Sequence, residues 1–242
     1  MLYIGRQRIG KVNIPLIVRG LEGLNREVSS QGVYEIPVDD FTFTLPSNAT
    51  DVGDYAIYYA FYGCTSLISV DLSSLTAVSG MSAIREAFYS CTRLTSADLS
   101  NLIVISTQYA MYYTFYGCTS LTSVDLSSLT TISGQNAMQY AFSGCTGLTS
   151  VDLSSLTNIS GSYVMSRAFY KCTSLTSLSF PALTSTSFGS YANQFSYMLQ
   201  GVTGCTVHFP SNLQSVIGRW NDVTAGFGGT NTTVSFDLPA TT

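Results

Sequence analysis

Phe115-Tyr116-Gly117-Cys118-Thr119-Ser120-Leu121-Thr122-Ser123-Val124-Asp125-Leu126-Ser127-Ser128-Leu129 is one copy of a motif that recurs along the chain at a constant period. Cys64, Cys91, Cys118, Cys145 and Cys172 mark the beat, with no slip between them. A fixed period in this range is the signature of a solenoid, because one such unit can bury its apolar face only against its neighbours. Within the copy, Leu121, Val124, Leu126, Leu129 and Ile132 form an apolar series. Val124-Asp125-Leu126 has period two, which points Val and Leu inward and Asp outward on a short strand. A turn follows, often with glycine (Gly80, Gly134, Gly161). Ala137, Met138, Ala141 and Phe142 then fall on one face of a short helix. The expected fold is an α/β solenoid, with a parallel sheet on one face and short helices on the other.

The register extends beyond the obvious copies. Shifting Val70 and Leu72 back by one period reaches Phe43 and Leu45, and shifting Leu178 and Phe180 forward reaches Cys205 and Val207. Seven stacked strands are therefore predicted, near residues 43–45, 70–72, 97–99, 124–126, 151–153, 178–180 and 205–209. At about 4.8 Å per strand they would make a sheet roughly 30 Å long.

An open solenoid end exposes core and strand edge, so both ends need caps. Residues 1–40 are read as an N-terminal hairpin and cap, with Ile4 and Ile9 across a turn and Val12, Ile14, Leu16 and Val18 sharing one strand face. Residues 41–210 are the solenoid of six to seven coils, and residues 211–242 a C-terminal cap. There Leu213, Val216, Ile217 and Trp220 have helical spacing, and a glycine-rich turn leads to a last strand, Thr233–Leu238.

The pattern Ala60-Phe61-Tyr62-Gly63-Cys64-Thr65-Ser66-Leu67, with its copies at Phe88, Phe115, Phe142 and Phe169, resembles the bacterial BspA-like leucine-rich repeats, a treponemal-type subclass. The resemblance covers about residues 40–215. It implies a leucine-rich-repeat right-handed superhelix, and it implies kinship with surface-exposed proteins that bind host or bacterial partners. One copy has Thr114 in place of the alanine. Two departures matter. The proline that often follows the strand in that subclass is kept only at Pro46, Pro181 and Pro210. The position three residues after the last strand leucine, Asn or Cys in the widely known leucine-rich consensus, is Leu75, Leu102, Leu129 or Leu156. The short basic start of the chain also resembles the starts of some phage tail-associated proteins.

Charged residues make up only 10% of the chain, against about 25% in typical globular proteins. Ser and Thr supply the solvated surface instead, which suits an outward-facing protein. Residues 1–30 hold five basic and two acidic side chains, a net +3, while the remainder holds five and twelve, a net −7. No Lys/Arg stripe follows the repeat, which argues against a nucleic-acid partner. No stretch has the 18 or more apolar residues of a membrane span, and the first residues lack the apolar core of a secretory signal.

Three columns are candidate sites. Cys64, Cys91, Cys118, Cys145 and Cys172 place one thiol per coil, unlike the paired spacing of metal sites, and are read as a buried, reduced structural ladder. Asp71, Asp98, Asp125 and Asp152 line the exposed sheet face, either as solvated carboxylates, as a basic or hydroxyl-rich partner's site, or bridged by calcium, which needs six to eight oxygens. Tyr62, Tyr89, Tyr116 and Tyr170 form a ladder on the opposite face, either packing coil on coil or offering partner contacts. His208, the only histidine, has no carboxylate expected nearer than Asp152, about two coils away. There is no phosphate loop, zinc motif or catalytic carboxylate pair. The expectation is a non-enzymatic binding or adhesion module without metal or cofactor, displayed at the cell surface or outside the cell and holding a protein or glycan partner. The alternative is a structural or receptor-binding part of a phage or prophage tail.

Overall fold

The structure is a computed structural model that describes residues 2–4, 7–9, 33–34, 40–45, 47–184, 193–214 and 229–240. The predicted strand over residues 12–18 and the helical spacing at Val216, Ile217 and Trp220 lie outside the described residues. Before residue 40, β1 (Leu2–Ile4) pairs antiparallel with β2 (Gln7–Ile9), Leu2 opposite Ile9 and Ile4 opposite Gln7. β3 (Val33–Tyr34) joins β1 in parallel.

The solenoid follows. Its main strands are β4 (Phe41–Thr44) and β5 (Leu67–Asp71), then β7 (Ser96–Asp98), β9 (Ser123–Asp125) and β11 (Ser150–Asp152). They form one parallel five-stranded sheet, and identical positions face each other, as in Val151 opposite Val124 and Asp152 opposite Asp125. Four two-residue strands make a second parallel sheet that the sequence reading did not anticipate: β6 (Ala77–Val78), β8 (Val104–Ile105), β10 (Thr131–Ile132) and β12 (Asn158–Ile159). A third sheet holds β13 (Ser177–Ser179), β14 (Thr206–Pro210) and β15 (Thr233–Leu238), all parallel. The architecture is thus a parallel-sheet β-solenoid of about six turns, stacked at the period that the cysteines mark.

The last coil corrects the predicted register. Leu178 faces Val207 rather than Cys205, so the main strand arrives two positions late. On the opposite face the delay is already present. Phe142 N–H donates to Ala168 O, but Phe169 N–H reaches on to Met198 O, three positions beyond the regular partner. The extra length therefore enters before Met198, and one position is recovered before β14.

Among the described residues, the short helices expected in the repeats are absent. Residues 54–63 and their copies run as overlapping turns. Ala56, Tyr58, Ala60, Tyr62 and Cys64 each donate N–H to the carbonyl three residues back. The residues between them, Tyr55, Ile57, Tyr59, Phe61 and Gly63, donate instead to Met81, Ala83, Arg85, Ala87 and Tyr89 of the next coil, at 2.7–3.2 Å. Tyr55 and Tyr59 have φ of 55° and 56°, the left-handed conformation that the third residue of a type II turn requires. Helices pack with axes about 8–10 Å apart, whereas strands are about 4.8 Å apart. Turns bonded directly coil to coil keep strand spacing on both faces, and helices would not. The chain accepts non-glycine residues at positive φ, at a cost of about 1–2 kcal/mol each, in return for a hydrogen bond to the next coil.

The core runs through the stack as columns. Phe61, Phe88, Phe115, Phe142 and Phe169 lie ring on ring, with centroids 5.3–5.6 Å apart and planes within 11° of parallel. The cysteine column sits beside them, and all six described cysteines are buried and unbridged. Each column thiol below the first donates to a phenylalanine carbonyl of the coil before: Cys91 to Phe61 at 3.0 Å, Cys118 to Phe88 and Cys145 to Phe115 at 3.1 Å, and Cys172 to Phe142 at 3.0 Å. A thiol fits because it is small and apolar and carries one weak donor. Burial pushes the Cys145 thiol up to about 12 and Cys118 and Cys172 well above their ordinary value. Glycine has a packing role at Gly134, where a Cβ would lie 1.9 Å from Thr107 O.

This packing is open to two measurements. The native protein should not react with a thiol-specific disulfide reagent at pH 8, and should release six thiols per chain once unfolded, because the thiolate is the reactive form. Ser90 has φ of 55° in a column where Gly63, Gly117 and Gly144 also have positive φ. Ser90→Gly should therefore stabilise the fold by about 1 kcal/mol, measured by chemical denaturation. A helix at this place would require the opposite sign, a loss of about 0.5 kcal/mol or more.

Candidate functional site

The sheet face carries the aspartate column. Asp71, Asp98, Asp125 and Asp152 end successive main strands, and each folds back on its own chain. Ser73, Ser100, Ser127 and Ser154 donate N–H to the Oδ1 atoms of these aspartates at 2.9–3.0 Å. Ser73 Oγ adds a second bond to Asp71 Oδ1 at 2.6 Å. This is an Asx turn, in which a side-chain oxygen accepts the N–H two residues on and bends the chain out of the strand. The Ser127 backbone N–H holds the Asp125 carboxyl below the usual carboxylate range. One oxygen of each aspartate is therefore occupied locally, and the column borders shallow troughs lined by Ser69, Ser96, Ser123 and Ser150.

The turn face carries the tyrosines. Tyr62, Tyr89 and Tyr116 stack at 4.5 and 4.6 Å with planes within 12°, so the rings lie on one another and present edges and hydroxyls outward. Tyr170 belongs to the same column, but Ser143 stands where the ring before it would be, and Lys171 Nζ lies 5.1 Å over the Tyr170 ring instead. Tyr113 and Tyr140 make a second stack at 4.5 Å. Tyr55, Tyr163 and Tyr197 are 42–46% exposed, more open than the ladder itself.

Sequence reasoning passed over the cations set among these rings. Arg85 lies 5.6 Å from the Tyr58 and Tyr109 rings and 5.0 Å from Tyr112, and its Nε donates to buried Glu86 at 3.1 Å. Burial, then the hydrogen bond with Glu86, raises the Tyr59 hydroxyl far above its ordinary value. Arg167 lies 5.5 Å over Tyr140 and 4.7 Å over Tyr197. Stacking cations between tyrosines is favourable because the ring face is electron-rich. The signal was within reach, since Tyr58, Arg85 and Tyr112 share one column of the repeat, as do Tyr140 and Arg167. Around Arg167, Gln135, Asn136, Gln139, Asn193 and Ser196 line a groove of about 390 Å³.

His208 also has a partner that the sequence did not suggest. Its Nδ1 lies 2.9 Å from both oxygens of Asp237, across β14 and β15. Asp152 is not the relevant carboxylate, because β15 adds a strand beyond the predicted seven. The His208 contact holds the Asp237 carboxyl below the usual range. Among the described residues no group of three or more His, Cys, Asp or Glu side chains is placed to hold a metal ion. No described helix is long and apolar enough to cross a membrane.

No curated protein matches this chain. Among solved structures, the crystal structure of a T. pallidum leucine-rich repeat protein (TpLRR) is similar, at 23% identity and a TM-score of 0.42, over 80% of this chain and 87% of that one. The family described as BspA type leucine rich repeat region matches with six copies over residues 42–139 and 112–218. These spans cover most of the chain and include every coil that carries the aspartate, cysteine and tyrosine columns, and the protein belongs to the BspA type leucine-rich repeat family.

Proposed function

We propose that this protein is a non-enzymatic binding module of the cell exterior that holds a protein or glycan partner against the turn face of its solenoid. The observation that carries the proposal is the set of open tyrosines, Tyr55, Tyr163 and Tyr197, fixed on a backbone hydrogen-bonded coil to coil. Tyrosine supplies a large apolar contact with a polar tip at little entropic cost. A rigid support lowers the ordering cost of binding. The low charge of the chain and its family support the same reading. The aspartate column suits a partner less well, since its carboxylates already cap their own strands. The His208–Asp237 pair favours no hydrolase chemistry, because a nucleophilic hydroxyl hydrogen-bonded to the free ring nitrogen would be needed.

Replacing Tyr55, Tyr163 and Tyr197 together by Ser should weaken capture at least tenfold. Serine already occupies the Tyr55 column at Ser82 with φ of 52°, so the fold should tolerate the change. The measurement is biolayer interferometry against ligands found on arrays of glycans and extracellular matrix proteins. Unchanged capture, or arrays with no ligand at all, would remove the proposal.

The aspartates should behave differently. Asp125→Ala should cost about 1 kcal/mol of stability through the lost hydrogen bond and leave capture unchanged. Asp125→Asn should cost less, because its amide oxygen still accepts from Ser127. The folded carboxyl lies below its unfolded value of about 3.9. Its contribution is therefore complete above that pH and disappears as pH falls through the depressed folded value. Denaturant midpoints at pH 6 and pH 3 should differ less for Asp125→Asn than for the unaltered protein.

A further inference from the structure

The turn face is not uniform along the stack. In the column Tyr55, Ser82, Tyr109, Asn136, Tyr163 and in the column Tyr58, Arg85, Tyr112, Gln139, Ser166, the fourth coil puts an amide where the third has a ring. Losing two rings opens the groove of about 390 Å³ described above, between Asn136 and Gln139 on one side and Asn193 and Tyr197 on the other. Its composition differs from the rest of the face. Tyr163 and Tyr197 stand at its rim, 43% and 46% exposed, and among the described residues none that lines it is acidic. Arg167 has no carboxylate partner among the described residues, unlike Arg85 with Glu86. Its guanidinium carbon lies 5.5 Å over the Tyr140 ring and 4.7 Å over the Tyr197 ring, and its fork of N–H donors matches a carboxylate. Two further groups at the groove are unsatisfied. Asn136 Oδ1 and Ser166 Oγ are buried and accept or donate no hydrogen bond, and Ser166 is 1% exposed. Buried polar atoms are nearly always paired, and these two would meet a ligand only if the Asn136 amide or the Ser166 hydroxyl turned outward into the groove.

We propose that this groove is a subsite for a saccharide that bears a carboxylate. Tyr163 and Tyr197 take the C–H face of the sugar ring, the amides of Asn136, Gln139 and Asn193 take its hydroxyls, and Arg167 takes the acidic group. The inference rests on the turn face being the binding surface and adds a position and a ligand class to it. A neutral sugar would use the rings and amides alone. An Arg–carboxylate contact in a groove without competing carboxylates is charge-assisted and stronger than a neutral hydrogen bond, which sets the preference for the acidic sugar.

The test is isothermal titration of the whole protein with 3′-sialyllactose and digalacturonic acid, with lactose as the neutral probe. At least one acidic probe should bind tenfold or more tighter than lactose. Arg167→Gln should remove that preference and leave the weak neutral binding. Asn136→Ala with Gln139→Ala should weaken acidic and neutral probes alike. Thermal melts of each variant separate lost binding from lost fold, and saturation-transfer NMR on the unaltered protein should show the strongest transfer to the sugar C–H protons facing the tyrosines. Acidic probes that do not bind, lactose that binds as tightly as they do, or a preference that survives in Arg167→Gln would overturn the subsite. Tyr55→Ser lies outside the groove. If it weakens capture of an array ligand while the acidic probes fail, the binding surface stands and the subsite alone falls.

Discussion

Everything in this solenoid depends on the backbone hydrogen bonds that join each coil to the next on the turn face as well as on the sheets. In the run Tyr55–Gly63, alternate amides bond within the coil and the others reach the coil beyond. That division satisfies the donors without a helix and holds the turn face at strand spacing. A neighbour is required for it, because half of the donors have no partner inside their own coil. The fold is therefore built by stacking, and a single repeat unit would leave those amides bare.

Fixed spacing forces like residues to meet like residues, and the side chains present are those that tolerate it. Phenylalanine stacks on phenylalanine at 5.3–5.6 Å, and threonine repeats as a hydroxyl donating to the coil before, as from Thr95 to Ile68 O at 2.9 Å and from Thr149 to Thr122 O at 3.0 Å. A repeated charge is the hard case, since like charges directly opposite are destabilising. The aspartate column persists because each carboxylate is held by the N–H two residues ahead, which offsets the repulsion with a local bond. The same pressure explains why the two arginines among the tyrosines occupy single coils rather than a column: a ring above and below each gives a cation favourable neighbours.

How much of this was legible depended on the scale of the signal. Period and column membership were plain, because Cys64 to Cys172 never slip and Val124 and Leu126 alternate cleanly with Asp125. The helix was misread for a physical reason. Ala137, Met138, Ala141 and Phe142 face inward in the structure, and a series of turns places them there as well as a helix does. Side-chain spacing reports which face is buried, and the destination of the backbone N–H groups, which separates the two structures, leaves no mark on that spacing. The last register was misplaced because Leu178 and Cys205 are both apolar and one period apart, and the longer coil between them carries no motif. The Asx turns were readable in Asp125-Leu126-Ser127, yet the column invited a binding interpretation before a local one. Nothing in the sequence marks Asp237, because Thr233–Leu238 reads as a cap strand rather than as the next rung beside His208.

The tension between repetition and specificity bears directly on where a partner can sit. A perfect repeat offers identical sites along its length and so defines no single one. A defined site needs the pattern to break in several columns at the same height. In this chain the breaks converge twice. Ser82, Arg85 and Glu86 enter three tyrosine columns in one coil, where Arg85 and Glu86 close on themselves as an ion pair among rings. Asn136, Gln139 and Ser143 instead interrupt three columns in a later coil, Arg167 enters a fourth in the next, and the coil that brings Tyr197 is longer than the others. Arg167 keeps favourable ring neighbours, but the two amides and the serine gain no stacking. Ser143 forfeits a ring contact and leaves its hydroxyl unpaired, and Asn136 leaves an oxygen unpaired. Substitutions that cost packing at one end of the turn face, while the cysteine and phenylalanine columns behind them stay regular, are what a recognition site grafted onto a stacking scaffold requires.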